Sequence, residues 1–202
     1  MRRLTINVLV MFLTLGLGIV VSAVRFGRVQ APVVDRETEE YAVYSGLINS
    51  FHSQPDVDLL LVASQTISTV PQSDAFNEKE FIRHDLPDAT AKETLDDYKL
   101  VDNQSLNIAN HFIVNRKYTL ISNQEAKSYF ENSNTFLSLR ENYPNSSDTI
   151  TMLSRVGFNK KMNEALVYAW AYCGGDCGGG GYYLLRKEDG VWKVKDKKIW
   201  IS

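Results

Sequence analysis

Two cysteines and three histidines are the side chains of this 202-residue chain best suited to chemistry, and their spacing limits what they do. Cys173-Gly174-Gly175-Asp176-Cys177 is a C-x3-C pattern holding the only cysteines. A redox pair proper is C-x-x-C with a helix dipole lowering one thiol's pKa, and this spacing differs. Two sulfurs alone make an incomplete zinc site, and no histidine lies near them in sequence. In an oxidising compartment the natural reading is a disulfide between Cys173 and Cys177. Closing so short a loop is worth at most about 2 kcal/mol by chain entropy, so its job is to hold a glycine turn. Free thiols and a metal or redox pair remain the alternatives.

His52, His84 and His111 are far apart and lack metal-ligand spacing. An acid/base role for them stays open because triads assemble in space, but no Gly-x-Ser-x-Gly supports it. Asp96 and Asp97 point to different sides of a helix and make a poor catalytic dyad. Six glycines among residues 173 to 181 invite a phosphate-cradle reading. That cradle needs converging N–H groups at a helix N-terminus and a following Gly-Lys-Ser/Thr, and here a strand comes next. These spacings mark no catalytic, cofactor-binding or metal residue, and no cofactor is expected.

The elements that position these residues begin with a leader. From Leu4 to Val24 no charged residue appears, and Arg2 and Arg3 precede the run. Such a stretch suits a bilayer core of about 30 Å. It also suits an export signal, with small residues at Val21-Ser22-Ala23, although Arg25 and Arg28 just beyond hinder translocation. Residues 1–24 are therefore expected to be a signal peptide or single-pass membrane anchor, 25–34 a linker, and 35–202 one extracytoplasmic domain. With 44% apolar residues the domain has material for a core.

The expected fold is α+β: an N-terminal membrane helix, then helices packed on a C-terminal antiparallel sheet, a meander of three or four strands. Asp35 is a good N-cap for a helix over 35–52, whose apolar face is Tyr41, Tyr44, Leu47, Ile48 and Phe51. Leu59 to Ala63 reads as a buried strand, and Tyr118 to Ile121 as another. A helix is predicted over 88–98, with Thr90 and Glu93 as a capping box. Ser122 and Glu125 form a second box, opening a helix that turns Ala126, Tyr129 and Phe130 inward. Phe112 to Asn115 is read as extended.

From Thr149 to Phe158 apolar residues alternate, with Ile150, Met152, Val156 and Phe158 assigned to one face. Between Ala165 and Tyr172 one face is aromatic and one is small, and the small face suits close approach by the first helix. Asp189-Gly190 is a two-residue hairpin signal. Closing on it pairs Lys187 with Trp192, Arg186 with Lys193 and Leu185 with Val194. The dense aromatics (Tyr168, Trp170, Tyr172, Tyr182, Tyr183, Trp192, Trp200) are read as sheet core rather than a ligand groove. Residues 76–82 are expected at a cleft mouth.

Net charge is -2, but residues 33–104 hold 15 acidic against 5 basic side chains, and residues 105–202 hold 9 against 13. The preferred reading is that the two halves face each other and cancel, because the basic residues are scattered. Nucleic acid is not an expected partner.

Tyr143-Pro144-Asn145-Ser146, Ser154-Arg155-Val156-Gly157-Phe158-Asn159 and Ala165-Leu166-Val167-Tyr168 together resemble a family of uncharacterised bacterial exported proteins. The cysteine-glycine loop, Tyr183-Leu184-Leu185 with Lys187, Trp192 and Trp200-Ile201-Ser202 continue the likeness, and Glu40 to Phe51 is similar to the family's first helix. Family members often carry a bulky residue between the cysteines where this chain has Gly175-Asp176. The resemblance implies a bacterial source, an exported chain and one domain of unknown function, and brings no site residues with it. The expected role is non-enzymatic: binding an envelope protein or small ligand, outside the inner membrane or in the periplasm. The rivals are a hydrolase-like enzyme using dispersed His and Asp residues, and a thiol redox protein using Cys173 and Cys177.

Overall fold

A computed structural model describes residues 35–51, 58–69, 84–131, 138–174 and 177–201. The leader, the linker, His52 and residues 76–82 lie outside the described residues. Among those described, no helix is long and apolar enough to cross a membrane.

The architecture is α+β, built on one seven-stranded mixed sheet. Helix α1 (Arg36–Ser50) leads into β1 (Leu59–Ala63). Then follow α2 (Lys92–Val101), β2 (Lys117–Ile121), α3 (Asn123–Glu131) and α4 (Ser138–Asn142). Strands β3 (Ser146–Leu153), β4 (Gly157–Phe158), β5 (Glu164–Gly174), β6 (Cys177–Glu188) and β7 (Val191–Ile201) close the chain. The strand order is β2-β1-β3-β5-β6-β7, with β4 paired to β5. The expected antiparallel meander is therefore only half of the sheet. Strand β1 runs parallel to both β2 and β3. Parallel pairs need long crossovers and leave no local turn signal in a sequence, which is why the prediction stopped at the meander.

Buried on both faces, β1 is the continuous apolar run that a central parallel strand requires. Leu60 and Val62 join the cluster under α1, while Leu61 and Ala63 join Ile121, Ala126, Tyr129 and Leu139 on the other side. Helix α1 covers the first face with Tyr41, Val43, Tyr44, Leu47 and Ile48, which share one cluster with Ala165, Val167 and Ala169 of β5, but its closest backbone approach is to β7 rather than to that small-residue face. Helix α2 covers β5 and β6 on the second face through Leu95 and Tyr98 against Leu166, Tyr168 and Tyr182. Each such fully buried side chain contributes roughly 1.5–3 kcal/mol.

The hairpin register is as predicted: Lys187, Arg186 and Leu185 face Trp192, Lys193 and Val194. Asp189 and Gly190 both take positive φ, which a primed two-residue turn demands. A register shift follows, so that Leu184 pairs with Asp196 and Gly180 with Trp200.

Two local expectations are corrected. The alternation over 149–158 is not one strand with one buried face. It breaks at Ser154-Arg155, so Ile150 packs on the α3 side while Leu153, Val156 and Phe158 pack under α1. The Thr90–Glu93 capping box does not form. Helix α2 begins later, and Glu164 of β5 takes the Ala91 N–H at 2.9 Å and the Thr94 hydroxyl at 2.8 Å, a tertiary cap no local pattern announces. The other boundaries shift less: Asp35 caps α1 by accepting from Thr38 N–H, and Ser122 Oγ accepts from Glu125 N–H.

The charge halves do meet. Glu40 pairs with Arg155 at 2.7 Å, Glu39 with Lys187 at 2.7 Å and Asp88 with Lys198 at 3.0 Å, each joining the acidic stretch to the basic one.

Candidate functional site: a groove over the first helix

Helix α1 gives the sheet its apolar face and lays a line of hydroxyl and amide side chains against residues 109–115. Tyr41, Ser45 and Asn49 recur every four residues, one helical turn apart. Their oxygens accept the backbone N–H groups of Ala109 (2.7 Å), Ile113 (2.9 Å) and Asn115 (2.9 Å). Asn49 Nδ2 donates back to the Ile113 carbonyl at 3.2 Å. Beyond Ile108, whose N–H donates to the Ser64 carbonyl, the irregular 109–115 segment has no sheet ladder, and this stripe supplies partners for its backbone.

On the other flank stands the β6–β7 turn. Gly46 lets α1 lie against it, because a Cβ at that position would stand 2.5 Å from the Trp192 carbonyl oxygen. The helix is thereby sunk between two ridges. The resulting groove, about 620 Å³, is lined by Asp35, Glu37, Thr38, Tyr41, Ala42, Ser45, Gly46, Asn49, His111, Ile113, Gly190, Val191 and Trp192. That volume lies within the range of small-ligand sites. Its two ridges each end in an aliphatic side chain held out to solvent, Ile113 at 84% exposure and Val191 at 58%. The floor is fixed: Tyr41 stacks edge-on against His111 at 4.9 Å, and the Trp192 indole N–H donates to Glu39 at 2.9 Å. Thr38 N–H and hydroxyl both donate to the Asp35 carboxylate, which holds its pKa below the usual carboxylate value.

The groove explains little of the chemistry considered from sequence. His111 lines it, His84 does not, and His52 lies outside the described residues. The two cysteines are joined, Cα–Cα 5.2 Å, at the far end of the β5–β6 hairpin. Asp97 and Asp96 do part company: Asp97 takes a bidentate contact from Arg36 and the Phe158 N–H, while Asp96 pairs with Lys92. The aromatics divide between the faces, with Trp192 alone reaching the groove.

A hydroxyl cluster on the opposite face is the other polar concentration. Thr69 Oγ1 lies 2.5 Å from Tyr98 OH and accepts from Tyr182 OH at 2.9 Å, while Asp102 accepts from Ser68 and Thr69. Burial pushes both phenols up, so neither supplies a base near neutral pH. Among the described residues no group of His, Cys, Asp and Glu is arranged to hold a metal ion.

Sequence reasoning missed Ala42, Gly46, Asn49, Ile113 and Val191. The Tyr41–Ser45–Asn49 stripe was the available signal, since three polar groups on one helix line mark a second contact surface rather than a bare solvated face. Comparison with protein-family models, with curated proteins and with solved structures finds no match.

Proposed function

We propose that this chain is an exported, envelope-associated binding module whose ligand lies in the groove over α1, and that it performs no reaction there. The observation that supports this most is the composition of the lining: an apolar floor of Tyr41, Ala42 and Trp192 with a single histidine and no nucleophile–base pair. Residues 1–24 deliver the domain, as a signal peptide or membrane anchor, to the bacterial envelope or periplasm. An oxidising exterior there agrees with the bonded Cys173–Cys177 pair. The resemblance to uncharacterised bacterial exported proteins agrees with the same placement. Partners are an envelope protein or a small ligand, and the membrane itself if the leader is retained.

The test uses two neutral apolar probes, N-acetyl-leucinamide and N-acetyl-tryptophanamide, titrated at millimolar concentration while backbone amide shifts are recorded. Shifts confined to residues 38–49, 111–113 and 190–192, and abolished by Ala42→Trp, support the reading. Shifts scattered over the surface, or none, overturn it. Ile113→Asp serves as a second blocking variant, since that exposed side chain carries no core packing.

A further inference from the structure

The charge distribution around the groove says more than its volume does. Resting on the binding-module reading, we propose that the occupant is an extended peptide segment of another envelope protein, carrying one lysine or arginine between apolar residues. The lining holds no lysine or arginine to pair with the carboxylates at the rim. Asp35 and Glu37 belong to the lining, and Asp189 adjoins Gly190. The nearby cations are engaged elsewhere. Lys187 is held by Glu39 at 2.7 Å, Arg36 by Glu40 and Asp97, and Lys193 and Lys195 by Glu188, while Arg155, whose field reaches Glu37, is bonded to Glu40 at 2.7 Å. Asp35 is bound into the helix cap, so its charge stays at the rim in a fixed place.

The two exposed aliphatics decide between a peptide and a simple amine. Ile113 and Val191 stand on opposite ridges, both largely bare. A single alkyl chain ending in an ammonium covers one ridge. A segment with apolar side chains on both sides of its basic residue covers both ridges at once and sets the charge toward Asp35 and Glu37. An acidic or anionic ligand would meet the rim carboxylates with no lysine or arginine in the lining to pair with, an arrangement that selects against it.

The test compares three blocked pentapeptides, Val-Leu-X-Leu-Val with X as Lys, Gln or Glu, binding to the purified full chain by titration calorimetry at low and high salt. The expected order is Lys, Gln, Glu, with about three- to tenfold between Lys and Gln at low salt, narrowing as salt screens the rim. Asp35→Asn combined with Glu37→Gln should bring the Lys and Gln peptides within about twofold, and Asn preserves the N-cap so the helix is not at issue. Equal affinity for all three peptides, each lost in Ala42→Trp, overturns the charge inference while the groove remains a binding site. Failure of every peptide alongside groove-confined shifts from the neutral probes overturns the peptide inference alone. Failure of peptides and probes together overturns both.

Discussion

Beneath α1 the buried carboxylates Glu39 and Glu40 take long cationic side chains, whereas on the opposite face of the sheet Asp102 and Glu164 take short hydroxyl and backbone N–H donors. Glu40, with no exposed surface, receives Arg155 through two bonds at 2.7 and 2.9 Å and Arg36 at 3.1 Å, with Tyr44 OH alongside. Glu39 receives Lys187 and the Trp192 indole. Across the sheet, Asp102 is met by Ser68 and Thr69, and Glu164 by the Ala91 N–H and Thr94 hydroxyl, with Arg186 at 3.2 Å at its outer edge. The contrast follows from how each layer is made. One helix must be joined to distant strands across the acidic and basic halves of the chain, and long cationic side chains bridge that distance. The other layer brings short loops and helix ends against the sheet, where short donors reach.

The comparison breaks most visibly at Arg155. Removing it leaves Glu40 buried beside a single shared arginine. Arg155→Ala is expected to cost about 3–5 kcal/mol, whereas replacing Arg155 and Glu40 together by apolar residues of similar volume should recover most of it. Urea unfolding of the two variants measures this. If the single and double replacements lose equal stability, charge pairing is not what holds α1 down.

A smaller loss tests the opposite face, where packing rather than charge carries the layer. A Cβ on Gly157 would stand 2.4 Å from Tyr98 Cβ and 2.5 Å from Tyr98 Cα, the backbone of α2. Gly157→Ala must push the helix off β4, at about 1–3 kcal/mol. Loss of protection from hydrogen exchange should concentrate in 92–101, with 36–50 unaffected. Uniform loss over both helices would show the two layers to be one cooperative unit.

What the sequence made legible follows the same division. The hairpin register was readable at Lys187–Trp192, Arg186–Lys193 and Leu185–Val194 because Asp189-Gly190 fixes the turn, and a two-residue turn fixes the pairs beside it. The bulge one pair later was not readable, since nothing in Lys195 or Asp196 demands it. Yet it sends Trp200 to the α2 side, against Tyr168 and Tyr182. The small face of β5, with Ala165, Val167 and Ala169, marked the side of the sheet that α1 covers, although the helix lies closest to β7. The groove stayed hidden. Its ridges come from residues 111–113 and 190–192, far apart in sequence, and neither is apolar enough alone to stand out. The parallel pairing of β1 was hidden for a related reason: its partners are set by crossovers, not by turns.

The mildest perturbation needs no mutation to begin with. Tyrosines crowd the second face, and burial pushes Tyr98, Tyr168 and Tyr182 up, Tyr168 to about 12. In the unfolded chain each phenol ionises near pH 10. Below pH 10 both states keep their protons and the contribution is complete. Between pH 10 and about 12 the unfolded chain releases protons that the folded protein retains, so stability falls as pH rises through that window. Tyr168→Phe removes one such phenol while keeping its ring against Tyr182, centroids 5.0 Å apart. The variant should therefore lose stability less steeply between pH 10 and 12, and match the native chain at pH 8. Urea midpoints at a series of pH values, followed with phenolate absorbance, measure both slopes. Parallel slopes would mean that Tyr168 ionises in the folded protein as freely as in the unfolded one, and that the α2 layer is looser than its packing against the sheet implies.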